Sequence, residues 1–579
     1  MKRVGAAAAI VLSGLLAAMP AAAFAAGDKE DKTTSVQLLA INDFHGNLQP
    51  PSGSSGILPD PVTGAATQVG GVEYLATHMK SLRATEPNTI TVGAGDLIGA
   101  SPLISALFHD EPTIEAMNAL GLDVTGVGNH EFDEGAAELL RMQNGGCHPV
   151  DGCQDGDPFT GAFFQYLSSN VFREGTDETL LPPYEIRRVG KTNIKVAFLG
   201  LTLEGTPLIV TPSGVAGLEF RDEIETINAL VAQLRREQGV RSFVVLIHEG
   251  GQQTAPFAGG FMNVDRCDNF TGAIEPIVDG LSADVDVVVS AHTHQPYVCN
   301  LGRNGILTTS ASSFGRLITD IDLVIDNSSK DVEAARAVNR LVTRDVAKDP
   351  AEAAIVDKYN TIAAPIANRI VGSITSDITR AVLPGESGET ALGDVIADAQ
   401  LAATAPTDFG GAVVAFMNPG GIRADLTFAG SPAGEGDGNV TYGELFTVQP
   451  FGNTMVVKTM TGDMIYRLLE QQQFGSPGGV PVRILQVSNG FTYSYDSSRA
   501  AGSRVIDGSV RINGVPVDRA ASYRVAMNSF LADGGDGFSV FREGTDQLGG
   551  EVDLDALANY FLANSPIAPG PKNRITRTG

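Results

Sequence analysis

The chain has 579 residues, with 40 Lys and Arg against 67 Asp and Glu, a formal net charge of −27, four Cys and no Trp. At roughly 150 residues per domain the length allows about four domains, or two large α/β units, and a hydrophobic share of 43% excludes global disorder. The acidic excess excludes a broad basic face for a polyanion such as DNA, and it raises an objection to any enzyme of phosphate esters.

The N-terminus reads as an export signal over residues 1–26. Lys2 and Arg3 form a positive start, an Ala/Leu-rich stretch follows to about Ala23, and AAAFAAGDK offers small-residue cleavage sites near Ala25 or Ala26. A membrane anchor fits less well, because the stretch is short, rich in weakly hydrophobic Ala and interrupted by Pro20. Without residues 1–26, 38 basic residues face 67 acidic ones, a net −29. A periplasmic or secreted protein without stable membrane insertion is expected. The C-terminal PKNRITRTG carries no apolar tail of a lipid-anchor signal.

From residue 34 onward, strand-like runs alternate with helical ones. VQLLAI, NTITVGA, VTGVG, IKVAFLG, FVVLI and VDVVVSA are short, apolar and β-branched, whereas GGVEYLATHMKSLRAT and EPTIEAMNALG have helical spacing. The alternation predicts an α/β domain with a buried sheet over 34–344. KDPAEAAIVDKYNTIAAPIANRI predicts a helical linker over 345–370, started near Asp349-Pro350. Over 371–579, strands and Gly-rich turns dominate, and a second domain is expected there. Four Cys in an exported chain suggest two structural disulfides, with three possible connectivities. Cys147 and Cys153, in CHPVDGC, are the natural local pair, which leaves Cys267 with Cys299.

Chemistry enters at the strand ends. VQLLAI runs into Asp43-Phe44-His45, NTITVGAG into Asp96, VTGVG into Asn129-His130-Glu131-Phe132-Asp133, FVVLI into His248, and VDVVVSA into His292-Thr293-His294. In α/β sheets the ligand crevice lies beyond the carboxyl ends of the strands, so these side chains should converge. Five of the eight His sit there. Imidazole mixed with carboxylate and amide oxygen suits zinc, manganese, cobalt or iron better than calcium. The donors are too many for one tetrahedral ion, so two divalent ions are expected. His78, His109 and His148 read as structural.

DFHGN, the Gly-Asp at Asp96, GNHEFD, His248 and AHTH together resemble the calcineurin-like metallophosphoesterases. With the second domain, the whole chain beyond the leader resembles the bacterial 5′-nucleotidase family, which includes UDP-sugar hydrolases and cyclic-nucleotide phosphodiesterases. The resemblance implies an αββα sandwich followed by an α+β substrate-binding domain. It assigns Asp43, His45 and His294 to one ion and Asn129, His248 and His292 to the other, with Asp96 bridging; which AHTH histidine serves which ion rests on the resemblance alone. It implies a metal-activated water as the nucleophile. It gives His130 the phosphoryl group or the leaving oxygen, with Asp133 holding the ring. The bland reading of Asp133 is a cap on the helix of EGAAELLRM, which does not exclude the role beside His130. Glu131 reads as a structural partner.

The resemblance extends to the second domain. NPGGIR carries Asn418 and Arg423, with Pro419 where the family has glycine. QPFGN carries Phe451, and NSFLADGGDGF carries Phe530 and Asp536. The family uses such aromatics to sandwich a nucleobase, the Asp to hold ribose hydroxyls, and the Asn and Arg to contact nucleoside or phosphate. Apart from the resemblance, both Phe read as core residues. PGESGETALGD lacks the arginines the family often places there, which leaves Arg380 as the nearest candidate and weakens a polyphosphate reading. Gly190-Lys191-Thr192 reads as a turn rather than a P-loop, and DGNVTYGE at 437–444 reads as a solvated hairpin rather than a calcium loop. The expected activity is release of phosphate from nucleoside 5′-monophosphates, with cyclic nucleotides or UDP-sugars as alternatives and a catalytically retired binding protein as a remote one. The expected partner is a small nucleotide, with no polymeric nucleic acid and no protein partner implied.

Overall fold

The computed structural model describes residues 32–579 except 52, 211, 431–433, 476–478 and 480–481; the export signal read over 1–26 lies outside the described residues. Two six-stranded sheets form the first part of the chain. One runs in the order Val332–Leu341, Leu317–Asp326, Thr33–Ile41, Thr89–Ala94, Val124–Gly126, Gln165–Leu167. The other runs Pro296–Leu301, Ile306–Ala311, Val287–Val289, Ser242–His248, Ile194–Thr202, Tyr184–Val189.

Strand periodicity explains why the sheets stack. Successive side chains point to opposite faces, so Val36, Leu38 and Ala40 join Val92, Phe198, Val244, Leu246 and Val289 between the sheets. Leu39 and Ile41 pack outward against the helices Val72–Arg83 and Glu111–Leu120. Phe243, Val245 and Ile247 likewise face the helix Glu223–Gln238. Strands buried on both faces must be apolar throughout, which is why these runs do not alternate with polar residues. Each such Val, Leu or Phe contributes roughly 1.5–3 kcal/mol by leaving water.

The inner strands of both sheets run parallel: Thr33–Ile41 with Thr89–Ala94 and Val124–Gly126, and Ser242–His248 with Ile194–Thr202 and Val287–Val289. Their carboxyl ends therefore open on one edge of the sandwich. Helix Pro350–Ala367 follows, capped by the Asp349 carboxylate, which accepts from the N–H groups of Ala351 and Glu352.

Beyond it lie a five-stranded sheet (Gln486–Val487, Val414–Met417, Ser522–Asn528, Thr454–Thr461, Thr545–Val552) and a four-stranded one (Val515–Pro516, Arg511–Ile512, Phe491–Tyr495, Ile575–Arg577). This half is richer in helix than its Gly-rich sequence suggests, with Ala391–Thr404, Tyr442–Val448, Gly462–Glu470 and Asp553–Asn564 all helical. DGNVTYGE is not a hairpin. It forms the short strand Asn439–Thr441 and the first turn of the helix Tyr442–Val448. Thr441 caps that helix, and Glu444 reaches back to the Thr441 N–H in a capping box, which decides the structure of this stretch. Gly190-Lys191-Thr192 joins two antiparallel strands as a turn, as its sequence indicates. The disulfides pair Cys147 with Cys153 and Cys267 with Cys299, with Cα atoms 4.8 and 5.2 Å apart.

Candidate active site

The parallel strand ends deliver Asp43, His45, Asp96, Asn129, His130, His248, His292 and His294 to one edge. Asp43, His45, Asp96, His292 and His294 all take left-handed backbone angles, φ 49°, 48°, 50°, 69° and 57°. Such angles are uncommon for non-glycine residues and cluster where a site constrains the chain. Here they turn each side chain back over the strand end. Gly128 is required beside them, because a Cβ there would lie 2.1 Å from Asp96 Oδ1.

Asp43–His45–His294 and Asp96–His248–His292 form triads of donor atoms, each set lying within 4.8 Å, and His130 joins His45 and Asp96 in a third such group that overlaps both. Asn129 lies in the same wall, buried, with its Oδ1 unpaired. His45 gives Nδ1 to the Gly99 carbonyl (2.8 Å) and His248 gives Nδ1 to the Ala94 carbonyl (2.9 Å). Each donates there, so in the neutral ring the other nitrogen, Nε2, carries the lone pair. The His45 Nε2 lies 3.0 Å from His294 Nε2 and 3.6 Å from Asp96 Oδ2. The His248 Nε2 lies 3.0 Å from Asp96 Oδ2 without hydrogen-bond geometry. Lone pairs facing carboxylates and one another call for positive charge between them.

The electrostatics agree. Burial drives His45 and His292 down to about 3, keeping them neutral. Burial opposes a charge on His248 too, but Asp96 outweighs it and pushes this imidazole up to about 10. Burial lifts the Asp43 carboxyl to about 7 against the pull of His248. With His45 and His292 neutral, Asp43 and Asp96 drawing positive charge onto His248 and an orphaned amide oxygen beside them, the donor set fits divalent metal ions.

Supporting residues fix these donors. Asn42 donates to Asp43 Oδ2 (2.6 Å), and the His292 N–H donates to Asp43 Oδ1 (3.0 Å). The Glu131 carboxylate accepts the N–H groups of Asp96, Leu97 and Gly128 at 2.9, 2.8 and 2.6 Å, locking the Asp96 and Asn129 loops together. Asp110 takes the Gly99 N–H at 2.9 Å and the Ser105 hydroxyl at 2.6 Å, so the carbonyl that orients His45 is itself held.

Next to the triads, His130 Nδ1 lies 2.8 Å from Asp133 Oδ2. Burial alone would depress the His130 imidazole; Asp133 and Asp96 outweigh it and hold it above its ordinary value. Across a cavity of about 300 Å³ stand Asn418, Arg423, Phe451, Phe530 and Asp536 of the second half of the chain. Asn418 donates to Asp536 Oδ2 (3.0 Å) and accepts from Asn528 (3.0 Å), and Arg483 gives an N–H to the Asp536 carbonyl (3.1 Å). Arg423 reaches over the Phe451 ring, 5.8 Å from its centroid.

Arg380 lines a neighbouring cavity of about 310 Å³ bounded by Pro419 and Ile422, donates to the Ile422 carbonyl and brings its charge to bear on Arg423. His78 bonds the Thr343 carbonyl, while His109 and His148 stack on each other with ring centroids 3.7 Å apart.

A two-sheet sandwich whose parallel strand ends present this His/Asp/Asn wall is a calcineurin-like phosphoesterase, and residues 36–296 match the family "Calcineurin-like phosphoesterase". Residues 370–543 match the "5′-nucleotidase, C-terminal domain". Among curated proteins the chain is 32% identical over 551 residues to endonuclease YhcR of Bacillus subtilis, covering 93% of this chain but 41% of that protein. It is 30% identical over 555 residues to cell wall protein Lmo0130 of Listeria monocytogenes, covering 91% of this chain and 67% of that one. The fold is similar to a solved 5′-nucleotidase precursor from Thermus thermophilus, with a TM-score of 0.73, 27% identity, and coverage of 94% of this chain and 99% of that one. The chain belongs to the 5′-nucleotidase family, and its two parts together make a phosphoric ester hydrolase.

Proposed function

We propose that the protein is an exported, metal-dependent 5′-nucleotidase that releases phosphate from nucleoside 5′-monophosphates. The observation that carries this reading is one cleft with two walls, the His/Asp/Asn donors and the His130–Asp133 pair on one side and Phe451, Phe530, Asp536 and Arg423 on the other. Asp43, His45 and His294 would hold one divalent ion and Asn129, His248 and His292 a second, with Asp96 shared between them. Bound there, such ions (Zn, Mn, Co or Fe type) supply Lewis acidity that activates water and neutralises the phosphoryl oxygens.

The chain's own residues do the rest. Phe530, with Phe451, offers a face for the base, and such stacking contributes about 1–3 kcal/mol per base. The Asp536 carboxylate, held by Asn418, faces the ribose hydroxyls. Arg423 brings a fixed positive charge to the phosphoryl group. With Nδ1 engaged by Asp133, Nε2 of His130 is the nitrogen that protonates the leaving 5′ oxygen. The domain division 34–344, 345–370 and 371–579 fits these roles, with the linker helix joining the two walls. Export rests on the leader read over residues 1–26, and N-terminal sequencing of the secreted protein checks it.

A polymeric substrate, which the name of the Bacillus relative suggests, would have to approach a chain with 67 acidic against 40 basic residues. The test is a panel of AMP, a 2′,3′-cyclic nucleotide, UDP-glucose and a single-stranded oligonucleotide, each run with different divalent metals. AMP is expected to be turned over best. Rapid hydrolysis of the oligonucleotide or cyclic nucleotide with negligible release from AMP would sink the monophosphate reading.

A further inference from the structure

Away from the strand-end wall, another group of imidazoles and carboxylates gathers at the rim of the main cleft. His109 precedes Asp110 and Glu134 follows Asp133 in the chain, and Asp110, Asp133 and Glu134 line that cleft. The loop closed by the Cys147–Cys153 disulfide lays His148 and Asp151 against His109. The donor atoms of His109, His148 and Asp151 all lie within 4.8 Å of one another.

The surrounding hydrogen bonds turn the lone pairs toward a common point. Glu134 Oε2 accepts from His109 Nδ1 at 2.7 Å. In the neutral ring the lone pair is then on Nε2, which lies 3.0 Å from Asp151 Oδ2. The Asp151 N–H donates to His148 Nδ1 at 3.2 Å, so that nitrogen also keeps its lone pair, 3.2 Å from the same Oδ2. A carboxylate that pins the outer nitrogen of a histidine is the arrangement that orients a metal-ligating ring and raises its basicity. Ligands on a tetrahedron with bonds of about 2.0 Å stand about 3.3 Å apart, close to the 3.0 and 3.2 Å separations here. The rings of His109 and His148 stack with centroids 3.7 Å apart and planes 17° apart. Two charged rings at that spacing would repel, whereas two neutral ones can share a single cation. Glu138, which also approaches His109, is already held by the Arg141 guanidinium.

We propose that His109, His148 and Asp151 form a further divalent-cation site, of zinc type, with Glu134 orienting His109. Two imidazole nitrogens and one carboxylate oxygen suit zinc better than calcium or magnesium. The His109 and His148 side chains are 18% and 15% exposed and that of Asp151 is 44% exposed, so water completes the coordination from the Asp151 side. In the metal-free chain a second proton on His109 fills the contact with Asp151, and the ion takes its place. The ion also displaces the Asp151 N–H from His148. Its place in the chain gives it a role. It ties the disulfide loop to the segment of Asp110, which holds Gly99 and through it His45, and to the segment of Asp133, which holds His130. The site stands whichever ester the main cleft accepts.

The test uses the full chain, stripped by chelation and then dialysed to equilibrium against micromolar free zinc, with zinc per chain counted by elemental analysis. His148→Ala and Asp151→Ala are each expected to hold one ion fewer than the wild type, with AMP hydrolysis within about twofold of it. Zinc should also raise the Tm of the wild type further than that of either variant. Cobalt in place of zinc should give a wild-type-minus-variant difference spectrum with the visible bands of a four-coordinate ion. Melting of the stripped proteins checks that both variants fold. Equal zinc content in the wild type and both variants overturns the site, as does a difference that appears only at millimolar zinc. Loss of more than one ion together with activity overturns it as a separate site. If AMP is not a substrate, the zinc count still reads the site, so its failure and that of the nucleotidase reading are told apart.

Discussion

The ring of Phe451 lies nearly parallel to the imidazole of His130, with centroids 5.6 Å apart and planes 20° apart. The contact joins the two walls of the cleft, and it separates the roles of the two aromatic residues there. Phe530 packs against its own half of the chain, its ring where a Cβ on Gly535 would lie 2.5 Å away. Phe530→Ala should raise KM for nucleotides about tenfold and leave an aryl phosphate unchanged. Phe451→Ala should also lower kcat for the aryl phosphate, because His130 loses its packing partner. Steady-state kinetics of both variants on both substrates check this, and identical profiles would remove the distinction.

The His130 ring bonds Asp133 through Nδ1, and its backbone N–H donates to Asp96 Oδ1 at 2.9 Å, so the ring is committed to Asp133 while standing beside the donors. His130→Ala should keep the metal content of the wild type while lowering kcat by about 10²- to 10⁴-fold. Elemental analysis beside kcat is the measurement. Loss of metal in step with activity would move His130 among the ligands.

Asp96 lies 3.0 Å from His248 of its own triad and 3.6 Å from His45 of the other. Asp96→Asn should therefore empty both, with activity reduced at least about 100-fold. Chelation of the wild type should give the same loss, restored by adding metal back. Hydrolysis that survives exhaustive chelation would end the metal-dependent reading.

His109 sits between Glu134 (2.7 Å) and Asp151 (3.0 Å), whose hydrogen bonds push it up to about 9. The folded value lies above the unfolded one of about 6.5, so the protein binds this proton more tightly folded than unfolded. The stabilisation is complete below about pH 6.5 and disappears as pH rises through about 9. His109→Gln should lower Tm at pH 6 and make little difference at pH 10. A Tm gap that is the same at both values would show that the proton is not what holds this corner.

The first half of the site was legible because each ligand directly follows an apolar β-branched run, as with VQLLAI before Asp43 and FVVLI before His248. Burial of the strand and exposure of its end both leave a mark in local composition. Of the supports only Glu131, which reads as a structural partner in the sequence, was legible, and it collects three N–H groups from two loops. Asp110, which steadies His45 through Gly99, and Arg483, which reaches Asp536 from 53 residues away, were not. Such contacts arise from tertiary approach and follow no period. In the second half, glycine-rich connections hid helices that begin at capping residues directly after strands, as at Thr441 and Thr461. Arg380 lines a neighbouring cavity, where it donates to the Ile422 carbonyl, and its charge acts on Arg423 of the cleft.

The left-handed angles at Asp43, His45, Asp96, His292 and His294 carry a consequence for evolution and engineering. Each such residue holds a conformation that costs on the order of 1–3 kcal/mol and that glycine adopts freely. Selection for a sturdier protein alone would erode these positions first, so a lineage that kept the fold but lost its substrate should show glycine or asparagine accumulating there. Retention of all five side chains marks a chain still held to its chemistry.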